Sequence, residues 1–372
     1  MTQATLSPGR RVVVRALGET PMGSLEANTA LEPMAAPEPA SLAPEDVIIA
    51  IKSAHVGWVD LLMMSGQYQH ALAPPYTPGM EYAGVVAWKG PGVGDALAVG
   101  DEVLIDPFVA GARSLGAYQK WGGLASYGVA PARAVLRVPA GLSLDEAACL
   151  LGSYETAYHC LVTRGRLTAE DTVLVLGASG ATGLAAVQVA KVVGATVIAT
   201  GRSPDKLAIV RQEGADHVLA TTGEGGGARP FRDEVKSLTG GRGVSVVYDA
   251  VGGETSLESL RCVAFGARYL VVGWASTPFV ARGRGERGAP NANQLPTNLI
   301  MMKGLDVLGC PTAIATVNAP SLRAPRLAQV LAWAASGAIK PRVSRVFALD
   351  DYQEAMRARW QSDLVGGCVL RP

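Results

Sequence analysis

No Cys-x-x-Cys pair occurs in these 372 residues. The five cysteines, Cys149, Cys160, Cys262, Cys310 and Cys368, are scattered singly, so neither a zinc lobe nor a disulfide framework is implied, and a reducing, cytoplasmic setting fits. Histidine is scarce: His55, His70, His159 and His217 have no metal-ligand spacing. His159 reads as a satisfied helix histidine. Charge is thin, at 17%, and nearly balanced, with a net of +1. A nucleic-acid or anionic-membrane footprint is therefore not expected. The N-terminus, MTQATLSPGRR, lacks the apolar run of a signal peptide. Thr172 to Ala190 carries no charge, yet its glycines, Ser179 and Gln188 suit a soluble strand, turn and helix rather than a membrane span.

What is present is apolar: a 49% hydrophobic share gives ample core, and the length points to two domains. The organising stretch is 172–206, TVLVLGASGATGLAAVQVAKVVGATVIATGRSPDK. Thr172–Leu176 reads as a parallel strand buried on both faces. Gly177, Gly180 and Gly183 follow, spaced three apart among small residues, and helical periodicity begins near Thr182. A second strand, Thr196–Ala199, comes after the turn at Gly194. Strand, glycine turn, helix and strand form the first half of a dinucleotide-binding unit, whose backbone N–H groups and helix dipole meet a pyrophosphate. Sites for the unphosphorylated coenzyme usually place a carboxylate at the end of the second strand. Here Thr200-Gly201-Arg202-Ser203 stands there, with Lys206 one turn on. Arg202 and Lys206 would attract a 2′-phosphate and Ser203 can donate to it, so the expected cofactor is NADPH.

Residues 1 to about 147 read as β-rich, with short runs at Arg11–Arg15, Val47–Ile51, Gly84–Ala87 and Glu102–Ile105 between Pro and Gly clusters. That spacing predicts a small, partly open barrel. Residues 18–45, with six Ala and five Pro, read as an edge or linker. Asp145–Val162 reads as one connecting helix. Strand signals then alternate with helices through Val218–Ala220, Val244–Tyr248, Tyr269–Val272 and Leu305–Leu308, completing a doubly wound parallel sheet. The segment 281–293, ARGRGERGAPNAN, reads as a loop. Pro325–Ser336 is helical, and Pro341–Phe347 and Gly367–Leu370 are strands expected to rejoin the first domain.

Six motifs in order, VGWVDLLMMSGQY (56–68), PYTPGMEYAGVV (75–86), LLGSYETAYHCL (150–161), LVLGASGATGLAAVQVAK (174–191), VVYDAVGG (246–253) and MMKGLDVLGC (301–310), resemble the zinc-free, zeta-crystallin-like NADPH:quinone oxidoreductase branch of the medium-chain dehydrogenase/reductase superfamily. The resemblance spans nearly the whole chain. It implies an α/β fold: a GroES-like, partly open β-barrel from residues 1–147 and 315–372, and a Rossmann domain from 148–314. It also implies homodimers joined near Leu305–Cys310. The zinc-dependent relatives need two Cys and one His where this chain has Gly57, Ser153 and Met80, no ligand set for Zn2+, so no metal is expected. Glu81, beside Met80, and Asp60 are expected in structural or orienting roles.

The same resemblance implies hydride transfer from NADPH to a quinone or an α,β-unsaturated carbonyl, an enone or enoyl thioester. The family's cofactor positions carry over to Thr156; to Ser179, Gly180, Ala181 and Thr182 at the pyrophosphate; and to Arg202, Ser203 and Lys206 at the 2′-phosphate. They also carry over to Val251 on the adenine side, and to Val272, Gly273, Gly309 and Cys310 at the nicotinamide end. Tyr68, Tyr154 and Thr156 are the candidate catalytic donors. The branch often carries Asn at the position of Gly57 and Tyr at that of Leu62. Here Gly57, Trp58 and Leu62, with Met63 and Met64, suggest a bulky apolar substrate pocket. The alternative expectation is a non-catalytic NADPH binder, crystallin-like or RNA-binding.

Overall fold

The computed structural model describes residues 6–68, 72–223, 227–276 and 293–372. Among them two compact units separate, one from the N-terminus to Gly152 with Lys340–Pro372, the other from Ser153 to Ile339. His70 and nearly all of 281–293 lie outside the described residues.

The first unit is built on β1 (Gly9–Val14), β2 (Thr29–Met34), β3 (Asp46–His55), β4 (Tyr82–Lys89), β5 (Glu102–Ile105), β6 (Tyr127–Pro131) and β7 (Val135–Arg137). β1 and β2 form an antiparallel pair of their own. The apolar run Val47–Ile49 is fully buried in β3, which pairs with both β4 and β6. Residues 18–45 depart from the linker expectation. Pro21–Asn28 is a helix whose N-cap Thr20 accepts from the Gly23 N–H at 3.1 Å, and β2 follows directly. Pro21 occupies the first helical turn, where its fixed φ and missing N–H cost nothing. A proline that looked like a breaker is thus a starter.

The second unit holds β8 (Thr172–Leu176), β9 (Thr196–Gly201), β10 (His217–Ala220), β11 (Val244–Asp249), β12 (Val263–Val271) and β13 (Asp306–Gly309). They form one parallel sheet in the order β10-β9-β8-β11-β12-β13. The order reverses between β8 and β11, the switch point at which doubly wound sheets bind ligands. The chain then returns to the first unit with β14 (Val343–Ala348) and β15 (Gly367–Arg371), and β15 pairs with β3. The expected fold class is therefore observed: a Rossmann-type sheet and a GroES-like barrel that uses both ends of the chain.

The connecting helix is not continuous. Leu144–Ala148 ends where Cys149 leaves helical geometry (φ −99°, ψ 5°). Leu151–Tyr158 follows, and His159–Arg164 widens into a π-helical turn. The units therefore part at Gly152, a few residues beyond the expected 147. Residues 315–339, expected with the barrel, belong to the second unit, and a buried ion pair explains why. Arg326 Nε donates to Glu155 Oε2 at 2.8 Å and Arg323 Nη2 to Glu155 Oε1 at 2.9 Å. Arg326 Nη2 also donates to Thr316 Oγ1. These bonds tie helices 312–318 and 323–335 to helix 151–158, and Glu155 and Arg326 are each only 1% exposed. Glu155→Ala would strand Arg326 without its countercharge, and the expected loss is about 3–5 kcal/mol. A urea melt whose midpoint does not move would show the pair to contribute nothing.

Candidate functional site

The C-terminal ends of β8, β9, β11, β12 and β13 carry a set of groups suited to a dinucleotide. Gly177 turns at φ +68°, and a Cβ there would sit 2.7 Å from Val251 Cγ2. Gly183 lies so close to the preceding turn that a Cβ would come within 2.4 Å of the Gly177 carbonyl oxygen. Only glycine lets helix 181–193 begin this near the strand. That helix has Gly180 as N-cap and no capping side chain. Its first N–H groups, at Ala181 and Thr182, thus have no intrahelical partner and are free for an anion. Ser179, Ala181 and Thr182 are partly exposed, and Gly180 is exposed.

At the end of β9, Arg202 is exposed and has no ion-pair partner among the described residues. Ser203 caps helix 204–212, its Oγ accepting from the Lys206 N–H at 3.5 Å. Its own hydroxyl proton remains to be donated. At the end of β11 stands Asp249, fully buried, which the expectations did not single out. Its Oδ1 accepts from the N–H groups of Val251 and Gly252 at 2.9 Å each. Its Oδ2 accepts from Ser256 and, at 2.8 Å, from Tyr269. This node fixes the loop carrying Val251; a charged residue inside an otherwise apolar strand was the signal for it. The N–H groups of Val272 and Gly273 both donate to the Asp249 carbonyl (2.8 and 3.1 Å), and Cys310 N donates to Val271 O. Arg164 Nε donates to Gly309 O at 3.1 Å. The N–H groups of Val272, Gly273 and Cys310 are therefore engaged within the protein, as is the Gly309 carbonyl.

Helix 151–158 carries Ser153, Tyr154 and Thr156. The Tyr154 hydroxyl donates to Gln188 Oε1 at 2.7 Å, and Gln188 Nε2 donates to Glu213. Thr156 is partly exposed. His159 is buried with neither ring nitrogen hydrogen-bonded, and burial with nearby Arg326 and Arg164 lowers its pKa to about 4. It is neutral, and not satisfied as expected.

In the first unit Gly57 precedes helix 58–64, which carries Trp58, Asp60, Leu62 and Met63. Trp58 stacks on Trp360 with centroids 4.8 Å apart, a partner from the far end of the chain that no local pattern announced. Leu62 packs against the barrel core, and Tyr68, 9% exposed, sits within it. Asp60 accepts from the N–H groups of Gly57 (2.9 Å) and Gly79 (3.0 Å), the orienting role expected of it. Glu81 Oε1 accepts from Gly152 N at 2.5 Å, and Oε2 lies 3.2 Å from His55 Nδ1. A Cβ on Gly57 would meet Asp60 Oδ2 at 2.9 Å and the Met80 methyl at 3.6 Å. A carboxylate and a thioether thus occupy the direction a ligating side chain at 57 would take. With glycine, methionine and serine at positions 57, 80 and 153, the donor set does not fit Zn2+.

Two family models match the chain: an alcohol dehydrogenase GroES-like domain over residues 43–140 and a zinc-binding dehydrogenase over 181–319. A quinone oxidoreductase-like protein 2 homolog from Nematostella vectensis is 33% identical over 332 residues, spanning 89% of this chain and 82% of that one. The chain belongs to the medium-chain dehydrogenase/reductase superfamily, in its quinone oxidoreductase branch. It is an oxidoreductase. Among solved structures it is similar to an NAD-dependent alcohol dehydrogenase (TM-score 0.79, 28% identity, 98% and 99% of the two chains). It is also similar to a mycobacterial protein complexed with NADPH (TM-score 0.75, 26% identity, 98% and 100%). No helix among the described residues is long and apolar enough to cross a membrane.

Burial raises the Asp60 carboxyl from its ordinary 3.8 to about 6, against the opposing pull of the Gly57 N–H. The folded state therefore holds this proton more tightly than the unfolded chain does. Its contribution to stability is full below about pH 4 and is lost as pH rises through about 6. Denaturant midpoints across that window should fall with rising pH from this group, and Asp60→Asn should remove that part of the slope. Equal slopes in both proteins would refute the assignment.

Proposed function

We propose that this oxidoreductase uses NADPH to reduce a quinone or an alkene conjugated to a carbonyl, an enone or enoyl thioester, without a metal. The observation that carries the coenzyme choice is Arg202, an unpaired cation where sites for the unphosphorylated coenzyme place a carboxylate. It favours the precedent of the NADPH-bound mycobacterial neighbour over that of the NAD-dependent one.

Ser179, Gly180, Ala181 and Thr182 would hold the pyrophosphate at the uncapped helix start. Arg202, Ser203 and Lys206 would hold the 2′-phosphate, and Val251 would flank the adenine. Because their N–H groups are engaged, Val272 and Gly273 would offer carbonyls to the carboxamide; Gly309, Cys310 and Thr156 complete that end. The bound coenzyme supplies a hydride. Without a Lewis acid at Gly57, Met80 and Ser153, the acceptor must already be electrophilic. Gly57, Trp58 and Leu62 would give it an apolar wall and exclude water. Tyr154, its proton held by Gln188, is assigned a positioning role; Tyr68, with its ring in the core, is assigned to packing. Solvent then supplies the proton that completes the reduced product.

The expected result is NADPH oxidation by 1,4-benzoquinone, phenanthrenequinone or a simple enone, undiminished after dialysis against a chelator. Tight NADPH binding without turnover of any of them would favour the non-catalytic, crystallin-like or RNA-binding reading. Arg202→Glu should raise the KM for NADPH about tenfold to hundredfold, the worth of a charge-assisted hydrogen bond, and spare that for NADH. An unchanged coenzyme preference would overturn the NADPH assignment.

A homodimer joined along β13 and a cytoplasmic setting belong to the same proposal. β13 is a sheet edge carrying Val307, 38% exposed, next to the exposed Met301 and Met302. Val307→Lys should yield monomers by sedimentation; a monomeric parent protein would remove the proposal.

A further inference from the structure

Helix 181–193 carries one polar side chain inside its buried run. From Gly183 to Ala190 every residue is buried, and all are small or aliphatic except Gln188, 9% exposed. A buried amide costs about 1–3 kcal/mol unless its hydrogen bonds are met, so an amide among alanines and valines calls for a reason. Both of its ends are met by residues far along the chain. The Gln188 Oε1 accepts from the Tyr154 hydroxyl at 2.7 Å, and Nε2 donates to Glu213 Oε2 at 2.9 Å.

The direction of this chain is set at Glu213. A carboxylate only accepts, so it draws the amino end of the amide toward itself and turns the oxygen toward Tyr154. The tyrosine is left to donate. Glu213 stands at an awkward place for an acid: it is the C-cap of helix 204–212. The helix dipole disfavours a negative charge there by about 0.3–1 kcal/mol. A hydrogen bond to a charged group, about 1.5–3 kcal/mol, more than offsets that.

The chain joins the parts of the coenzyme site. Tyr154 lies on helix 151–158, just before Thr156. Gln188 lies on the helix whose start is offered to the pyrophosphate. Glu213 ends the helix whose start carries Ser203 and Lys206. Three helices, each bearing a different part of that site, are thus fastened through one amide.

We infer that Gln188 and Glu213 are positioning residues for the coenzyme: through Tyr154 they hold the helix carrying Thr156 in register with the pyrophosphate and 2′-phosphate positions, and so set where the nicotinamide ring lies. The inference rests on the coenzyme reading above and adds two residues outside every position that reading assigns. A misplacement of about 1 Å that begins far from the chemistry can cost about a hundredfold in rate.

The test reads the nicotinamide directly, by the fluorescence of NADPH bound to the full chain. Emission from the reduced ring rises and moves to the blue when a site holds it away from water, and this readout does not depend on turnover. Tyr154→Phe combined with Gln188→Leu removes both buried partners at once, so the urea midpoint should hold, whereas either change alone strands a polar group. In the double variant the Kd for NADPH, by calorimetry, should stay within about threefold of the parent's, because other groups hold the phosphates. Its bound emission should approach that of free NADPH, and kcat should fall about tenfold to hundredfold. Glu213→Leu should show the same split of kcat from Kd, and adding it to the double variant should change little more, since the chain is already cut. Glu213→Gln keeps an acceptor oxygen and should restore the parent's behaviour. Parent-like emission in the double variant and in Glu213→Leu would overturn the inference. So would a lowered urea midpoint with unchanged emission, the mark of a purely structural part. A parent protein that binds no NADPH would remove the coenzyme reading itself, and this inference with it.

Discussion

An uncapped helix start at the switch point of a parallel sheet organises the second unit. Helix 181–193 has no side chain on its first N–H groups, so the partial positive charge there is left for an anion. That arrangement is possible only because the turn before it is nearly bare. The contacts at Gly177 and Gly183 leave no room for a Cβ, and any larger residue would push the helix off the strand. The other positions proposed for the coenzyme lie at the ends of the neighbouring parallel strands. Asp249 holds two of those ends together by spreading one buried carboxylate over four donors.

The first unit spends its buried carboxylates on the backbone. Beside Gly57 and Met80, which offer neither thiolate nor imidazole, Asp60 turns its oxygens to the N–H groups of Gly57 and Gly79. The carboxyl is kept in place by hydrogen bonds, and burial raises its pKa to about 6. Glu81 likewise spends its oxygens on Gly152 and His55.

Buried charge also sets the limits of the units. Glu155 with Arg323 and Arg326 ties three helices into one body, because separating such a pair in a low-dielectric interior costs more than bending the chain. The boundary therefore lies after β13 and its following helices.

Much was legible beforehand because it is local. The strand–glycine–helix–strand series at 172–201 follows from apolar runs and glycine spacing within one segment, as does Arg202 at the end of β9. The parallel sheet, and the return of the last two strands to the barrel, followed from alternation along the chain. The helix 21–28 was missed because a capping threonine before proline looks like a break until a neighbouring strand needs its ends. The stacking of Trp58 on Trp360, the hold of Gln188 on Tyr154 and the ion pair at Glu155 join residues far apart in sequence. No period or spacing encodes such contacts. They exist only once the sheets close and packing decides which polar groups meet and which are left alone.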